Sequence, residues 1–282
     1  MVAHGHTRHP ATYRHAIMTP QQLLAHIDSA QLWPAGAGAP FDDVPAAYQT
    51  ALQVRALRVS RGERPVGYKV GFTNRSIWPR YNVFAPIWGT VWNTTLAQAL
   101  HGRGSLSLAA TCQPRIEPEL VFFFKTTPPA GCTLQQLFNS LDALAPGFEI
   151  VQCHLPDWKF QAAQTVADSG LHARLLVGPL QPVRDLAADA ETLHALLAGT
   201  KAQLLHGDAV VDEGSGANVL DSPLHALLHF VNELRACPGA PDIAPGDVVT
   251  TGTWTDAWAV QAAQVWTVRF SALLPALTVA FD

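Results

Sequence analysis

Apolar positions recur at helical spacing near the start of the chain and form short continuous runs farther on. Leu23, Leu24 and Ile27 follow Thr19-Pro20 on one face of a predicted helix, for which threonine is a good cap and proline suits the first turn. A second helical pattern covers about 45–59. Beyond it, apolar runs predict strands at 66–72, 120–124, 148–151, 175–177, 248–251 and 265–270.

Two further helices are predicted between these strands. One follows Thr133, and the other begins with Asp221 as its cap and extends to about Arg235. Because helices and strands do not alternate regularly, we expect an α+β arrangement around a curved, largely antiparallel sheet instead of a doubly wound parallel fold. We divide the chain into an N-terminal helical region, 1–62, and a larger domain, 63–282.

Composition and charge exclude several classes of partner. The 282 residues carry a net charge of −4 without a run of like charges, so neither nucleic acid nor an anionic membrane surface is expected. No apolar stretch approaches the roughly 20 residues that span a bilayer, and the first residues lack the apolar core of a signal peptide. The scattered cysteines form no Cys-x-x-Cys pair. We expect a cytoplasmic protein with reduced thiols.

The stretch RIEPELVFFF places two carboxylates directly before the most apolar run of the chain. Residues two apart in a strand share a face, so Glu117 and Glu119 should converge. Glu149 lies just inside another apolar strand, where an unpaired buried carboxylate would be costly. Three such acids suggest a hard divalent cation, Mg²⁺ or Mn²⁺. On residue types alone, ordinary ion pairs with Arg115 or Lys69 are the alternative.

Spaced motifs resemble one known family. The segment QPRIEPE, 113–119, resembles the Q-P-R-x-E-x-E signature of the 2-keto-4-pentenoate hydratases and 4-oxalocrotonate decarboxylases, within the fumarylacetoacetate hydrolase superfamily. GYKVG at 67–71 and VAD at 166–168 are similar to further motifs of this family. Order is preserved over roughly 45–282. The resemblance implies the fumarylacetoacetate hydrolase-like fold, a curved mixed or antiparallel β-sheet roll with peripheral helices.

The same resemblance implies a set of site residues. The three glutamates would bind one Mg²⁺ or Mn²⁺, which can stabilise negative charge on the oxygen of an enol or dienolate. Lys69 matches the active-site lysine of the family, which would transfer a proton or hold the substrate carboxylate. Thr251 and Gly252 match the Thr-Gly pair of a late strand and are expected to contact the substrate.

The chain departs from the family in two segments. Phe84 replaces an acidic residue of the hydratases, and together with Trp88 it suggests a bulkier or more apolar substrate. After the VAD motif, His172 and Arg174 replace small polar residues. We predict His172 as a general acid or base and Arg174 as a ligand of a second carboxylate. A hydrogen-bonded core histidine and core aromatic residues are the alternatives.

The expected reaction is addition of water to a 2-hydroxy-2,4-dienoate, through its 2-oxo-3-enoate tautomer, to give a 4-hydroxy-2-oxo acid in aromatic-compound catabolism. Decarboxylation of a 4-oxalocrotonate-like diacid and hydrolysis of an acylpyruvate are alternatives within the superfamily. A non-catalytic partner subunit of a hydratase and decarboxylase complex is an alternative of another class, because Phe84 removes an acidic group. Members of the family are commonly oligomeric, so we expect at least a homodimer.

Overall fold

The structure is a computed structural model that describes residues 18–35, 41 and 43–282. None of the described helices is long and apolar enough to cross a membrane. The helices are α1 (Pro20–Ser29), α2 (Val44–Ser60), α3 (Trp78–Tyr81), α4 (Leu134–Ser140), α5 (Ala162–Ala167), α6 (Val183–Leu186), α7 (Ala190–Gly199) and α8 (Pro223–Ala236).

The strands form two mixed sheets. The strands are β1 (Pro65–Gly71), β2 (Ile87–Trp92), β3 (Leu96–Gln98), β4 (Arg103–Leu106), β5 (Arg115–Phe124), β6 (Leu141–Val151), β7 (His172–Val177), β8 (Gln181–Pro182), β9 (Lys201–His206), β10 (Ala209–Ser215), β11 (Val248–Thr250), β12 (Trp258–Ala259), β13 (Val265–Phe270) and β14 (Leu277–Phe281). A nine-stranded sheet has the order β2-β1-β11-β5-β6-β7-β3, with β12 beside β5 and β8 beside β6, and a five-stranded sheet has the order β10-β9-β13-β14-β4. Strands β1 and β11 are parallel, whereas β6 is antiparallel to both of its neighbours, β5 and β7.

Helix starts follow the predicted capping chemistry, with one correction. Thr19 Oγ1 accepts from the Gln22 backbone N–H while the Gln22 side chain accepts from the Thr19 N–H, a reciprocal cap that fixes the start of α1. Helix α8 begins as predicted near Pro223, but its cap is Ser222 instead of Asp221. Asp221 has a positive φ of 72° and forms an ion pair with Arg75.

Strand β5 separates an apolar face from a polar one. Its pairing with β6 extends from Arg115 opposite Val151 to Phe124 opposite Leu141, so the strand begins five residues before the predicted apolar run. Alternate side chains point to opposite faces over this length. One face enters the main core with Ile116, Leu120, Phe122 and Phe124, and the other carries Arg115, Glu117 and Glu119.

The two N-terminal helices share the core of the sheet. Leu23 of α1 and Tyr48 and Val54 of α2 belong to the same apolar cluster as Leu120 of β5. The predicted boundary at 62/63 falls in the connection between α2 and β1. The division into two regions therefore stays a prediction about sequence organisation, since buried side chains of both regions pack together.

Two parts of the fold were missed by the apolar pattern. The strand β2 is fully buried but was assigned to no element, and four strands of the second sheet (β4, β9, β10 and β14) have mixed exposed and buried positions that do not form apolar runs. Helix α7 was also missed, although Asp189 caps it by accepting from the Thr192 N–H. The predicted α+β class is confirmed.

The parallel pairing of β1 with β11 depends on a glycine, so we predict the effect of Gly67→Ala. Gly67 has a φ of +149°, and a Cβ there would lie 1.8 Å from the Val248 carbonyl oxygen. Since backbone must move, the substitution should destabilise the fold by about 3 kcal/mol. Chemical denaturation measures this, with Gly62→Ala as the control, because Gly62 also has positive φ but nothing within 4 Å. Equal losses in the two variants would contradict the prediction.

Candidate active site

Strands β5 and β6 bring the three glutamates onto one face of the sheet. Glu117 lies directly opposite Glu149 in the register, and Glu119, two residues along β5, lies opposite Gly147. Opposite residues share a face, as do residues two apart on one strand. Glu119 and Glu149 are fully buried, whereas Glu117 lines a cavity. The predicted convergence of the three carboxylates is therefore present.

Each buried carboxylate is held by one oxygen and leaves the other without a partner. Glu119 Oε2 accepts from the Gly252 backbone N–H at 2.7 Å, and Glu149 Oε1 lies 2.7 Å from His172 Nδ1. The remaining oxygens, Glu119 Oε1 and Glu149 Oε2, are buried and form no hydrogen bond. A buried charged oxygen without a partner is costly, so these atoms mark a place for a positive group.

The carboxylates oppose one another electrostatically. Burial raises the pKa of Glu119 well above its ordinary value, and the negative charges of Glu117 and Glu149 raise it further. Burial also raises the pKa of Glu117, against the opposing effect of Lys69. Burial and mutual repulsion therefore make Glu117 and Glu119 harder to ionise than exposed glutamates.

The donor set fits a hard divalent cation. Carboxylate oxygens are the ligands that Mg²⁺ and Mn²⁺ prefer, and two of the oxygens on this face have no other partner. Among the described residues, no group of three His, Cys, Asp or Glu side chains is arranged to hold a metal ion as it stands. The fit therefore rests on ligand type, shared face and unpartnered oxygens.

Lys69 reaches the same face from β1. It is 3% exposed and lines the cavity with Glu117, as the GYKVG motif implied. Its Nζ lies 3.6 Å from the point where a side chain at Gly71 would begin, an ordinary van der Waals distance, so the ammonium group lies beside the backbone of β1. Its positive charge opposes the rise in the pKa of both Glu117 and Glu119. Lys69 therefore interacts electrostatically with these two carboxyl groups.

The cavity has a volume of about 510 Å³, within the range of ligand pockets. Its walls come from distant parts of the chain: β1 and the segment after it, the start of β2, β5, the end of β6 with the segment before β7, β10 with the turn after it, and the loop between β11 and β12. The aromatic residues of the lining are Phe72, Tyr81, Trp158, Phe160 and Trp254.

His172 is placed behind Glu149 and does not line the cavity. It is 3% exposed, with Nδ1 at Glu149 and Nε2 2.7 Å from Thr95 Oγ1. A bulge between Ile150 and Val151 in the β6–β7 register brings His172 onto the face of Glu149. Direct acid–base contact with a substrate, as predicted from the sequence, does not follow from this position, because both ring nitrogens are engaged.

Three other predicted substrate contacts also lie away from the cavity. Thr251 is fully buried and its hydroxyl donates to the Leu120 carbonyl at 3.2 Å. The guanidinium of Arg174 donates to the carbonyl oxygens of Ala173 and Ala109. Trp88 is 3% exposed and stacks on Tyr48, with ring centroids 4.5 Å apart. These residues support the fold around the site.

Of the remaining predicted contacts, Gly252 reaches the cavity and Phe84 does not. Gly252 lines the cavity and orients Glu119 through its backbone N–H. Its φ is +97°, and a side chain there would collide with Thr73 Oγ1. Phe84 is 73% exposed on the outer surface, so it cannot replace the acidic residue of the hydratases at the substrate.

Sequence reasoning missed several cavity residues. Arg115 shares the face of Glu117 by the same two-residue spacing, and its guanidinium lies 4.3 Å from the Trp158 ring centroid. The period-two rule would have found it. Phe72, Tyr81 and Phe160 lie outside β-strands, where no periodic signal indicates the direction of a side chain.

The aspartate of the VAD motif is structural. Asp168 Oδ1 lies 2.6 Å from His154 Nδ1, and its Oδ2 accepts from the His154 N–H at 2.9 Å. Both side chains are at most 1% exposed. This buried pair ties the end of α5 to the loop after β6, and Gly170 of the cavity wall lies in the turn that follows Asp168.

Structural comparison defines the class of protein. The 4-oxalocrotonate decarboxylase from Pseudomonas putida G7, complexed with magnesium and adipate, matches with a TM-score of 0.81 at 22% identity, over 94% of this chain and 99% of that one. The fumarylpyruvate hydrolase from Pseudomonas aeruginosa, in complex with Mn²⁺ and pyruvate, matches with a TM-score of 0.58 at 16% identity, over 77% and 89%. The fold is that of the fumarylacetoacetate hydrolase superfamily.

Sequence relatives identify the group of proteins to which the chain belongs. The 2-hydroxyhexa-2,4-dienoate hydratase of Comamonas testosteroni is 30% identical over 236 residues, which cover 83% of this chain and 85% of that protein. The 4-oxalocrotonate decarboxylase of Pseudomonas sp. strain CF600 is 27% identical over 266 residues, or 91% and 96%. No family model matches the chain. The chain belongs to the 2-keto-4-pentenoate hydratase and 4-oxalocrotonate decarboxylase group, as its motifs suggested.

The raised pKa values predict how metal-free stability depends on pH. A carboxyl whose pKa is raised in the folded state loses stability as pH rises from the unfolded pKa through the folded one. Glu119→Gln removes this loss while the amide oxygen still accepts from Gly252. At pH 8, with a chelator, we expect its melting temperature to exceed that of the wild type by at least about 2 °C.

At about pH 4 the difference should disappear, because the carboxyl is then protonated in both states. Thermal melts at the two pH values test this. A metal-free variant that is less stable than the wild type at pH 8 would contradict the described repulsion.

Proposed function

We propose that the protein is a divalent-metal-dependent hydratase that adds water to a 2-hydroxy-2,4-dienoate and yields a 4-hydroxy-2-oxo acid. The observation that carries the proposal is a cavity lined by Lys69 and Glu117, with Glu119 and Glu149 on the same face of the sheet and one buried oxygen of each without a hydrogen bond. Relatives named as hydratases match most of the chain, and structural neighbours are complexed with magnesium, calcium or Mn²⁺. Both findings support this assignment.

The residues have separate tasks in this reaction. Glu117, Glu119 and Glu149 would hold the cation, which would supply positive charge that stabilises negative charge on the 2-oxo oxygen of the substrate. Lys69 Nζ donates a proton to carbon 5 of the dienoate as the 2-oxo-3-enoate forms, and the proton released from the 2-hydroxyl group restores the lysine ammonium group. Water then adds its oxygen to carbon 4 and its proton to carbon 3. The buried wall around Lys69 limits access of bulk water to this end.

One experiment separates the hydratase from the other members of the group. Purified protein is incubated with 2-hydroxypenta-2,4-dienoate or 4-oxalocrotonate, with Mg²⁺ or Mn²⁺, while dienoate absorbance and CO2 release are followed. Loss of absorbance without CO2 supports the hydratase. CO2 release from the diacid supports the decarboxylase that other relatives represent. No turnover with any metal, by a protein that binds the metal, would favour a partner subunit.

Glu149→Gln should abolish metal-dependent turnover. The amide removes one negative charge from the ligand set but can still accept a hydrogen bond from His172. We expect Mg²⁺ affinity, measured by calorimetry, to fall by roughly 100-fold or more, because changes outside the ligand set alone cost 10–100-fold. Glu191→Gln, on the exposed surface of α7, is the matched control and should keep wild-type affinity. Unchanged affinity in the Glu149 variant would exclude this metal site.

His172 should act on the metal through Glu149. His172→Ala removes the group that holds Glu149 Oε1, so we expect Mg²⁺ affinity to fall by about 10–100-fold. Thr95→Val, which leaves the imidazole in place but removes its second partner, should have a smaller effect of the same sign. If kcat falls by about 10²–10⁴-fold while metal affinity stays unchanged, His172 is instead an acid–base group.

A further inference from the structure

The cavity extends well beyond the carboxylates, and its outer part has its own chemistry. From Arg115, beside Glu117, a row of rings leads away from the proposed metal end. Ring centroids of Trp158 and Phe160 lie 6.2 Å apart, those of Phe160 and Tyr81 lie 5.3 Å apart, and those of Tyr81 and Phe72 lie 5.1 Å apart. All four rings line the cavity. A ligand that enters from solvent must therefore pass an aromatic wall.

Three acidic residues also belong to the cavity lining. They are Asp212 and Glu213 of β10 and Asp256 of the loop after β11. None of the three forms an ion pair within the part of the chain that the structure describes. Asp212 instead accepts from the Asp256 N–H and from Trp258 Nε1, and Glu213 from the Gln203 side chain. These carboxylates therefore leave the outer cavity with uncompensated negative charge.

Arginines do not reverse this charge balance. Arg115 lies on the face of Glu117 and covers the Trp158 ring, so its charge acts at the inner end. Arg80 also lines the cavity, but its guanidinium is 5.5 Å from the Tyr81 ring centroid, its side chain is exposed, and it forms no ion pair with the three acidic residues among the described contacts. One exposed cation therefore accompanies three carboxylates in this part of the lining. A second substrate carboxylate would be repelled there, whereas an uncharged ring would find aromatic faces.

The cavity volume agrees with an extended ligand. About 510 Å³ is within the range of pockets that hold drug-sized molecules, far above the needs of a five-carbon acid. We propose that the outer cavity is a tail subsite, formed by Phe72, Tyr81, Trp158 and Phe160 together with Asp212, Glu213 and Asp256. It selects 2-oxo acids that carry an aromatic group at the far end of the chain and rejects those with a second carboxylate.

This inference rests on the proposed function, because the 2-oxo acid end must be held by the cation and Lys69. The inference also narrows the substrate class within that function. An aromatic tail is compatible with hydration of an aryl-substituted dienoate, whereas a 4-oxalocrotonate-like substrate would place its second carboxylate near Asp212, Glu213 and Asp256. The tail subsite therefore favours the hydratase over the decarboxylase on grounds independent of the metal site.

Binding of saturated 2-oxo acids tests the subsite without any reaction, since they lack the alkene that is hydrated. With Mg²⁺ present, calorimetry compares 2-oxopentanoate, 5-phenyl-2-oxopentanoate and 2-oxohexanedioate on the wild-type protein. The phenyl compound should bind about tenfold more tightly than 2-oxopentanoate, because the ring packs among aromatic side chains. The diacid should bind more weakly than 2-oxopentanoate, by a margin that shrinks as salt is raised.

Variants test which residues form the tail subsite. Phe160→Leu and, separately, Tyr81→Leu should each remove most of the advantage of the phenyl compound and leave 2-oxopentanoate within about twofold. Phe84→Leu is the matched control, since its ring is exposed outside the cavity, and it should preserve all three affinities. Glu213→Gln combined with Asp256→Asn should bring the diacid closer to 2-oxopentanoate. If this double variant bound only the phenyl compound more tightly, its effect would not come from reduced repulsion of the second carboxylate, which contradicts the role given to Glu213 and Asp256.

The outcomes separate the subsite from the reaction. If 5-phenyl-2-oxopentanoate and 2-oxopentanoate bind equally, the tail subsite is overturned but the proposed function is not. The same holds if 2-oxohexanedioate binds most tightly of the three. Absence of binding by all three acids, in a protein that binds Mg²⁺, overturns both. Loss of the phenyl advantage in the Phe84 variant, with Phe160→Leu unchanged, also overturns the assignment of the subsite to these rings.

Discussion

Mutual repulsion of carboxylates on one buried face is the constraint on which this structure depends. The paired strands β5 and β6 place two glutamates opposite each other and a third two residues away. Electrostatic interactions are stronger there because little solvent reaches the carboxylates. A sheet that only had to be stable would place apolar residues there. Neighbouring elements place polar or charged groups near these carboxylates. They are the backbone N–H of Gly252, the imidazole of His172 and the ammonium group of Lys69.

These approaches explain features that are otherwise unrelated in the sequence. Gly252 adopts a positive φ that brings its N–H to one carboxylate. The bulge in the β6–β7 pairing brings the His172 imidazole to Glu149. The Gly252 N–H and the imidazole each hold one carboxylate oxygen, and the other oxygen of each carboxylate has no hydrogen bond. The surrounding protein thus leaves two buried oxygens that favour a positive group.

Local rules predicted the parts of the site that depend on one strand. Period two placed Glu117 and Glu119 together, because this rule needs no knowledge of neighbouring strands. The apolar strand around Glu149 and the family resemblance grouped this residue with Glu117 and Glu119. Its position directly opposite Glu117 depends on register between distant segments and was not predicted. The orientation of His172 depends on a single bulge, which no local pattern indicates. Phe84 was read as a cavity residue because its neighbours match a motif, but its own side chain points to solvent.

The long separation between the parts of the site has a consequence for synthesis of the protein. Glu119 is held by the N–H of residue 252 in a chain of 282, and β11, which leads to that residue, lies between β1 and β5 in the sheet. During translation, the first two glutamates leave the ribosome long before this central strand exists. The nascent chain therefore exposes unpaired sheet edges and a loosely held acidic cluster until residues 248–252 have been made. A chaperone that covers sheet edges would act before the acidic cluster reaches its folded arrangement.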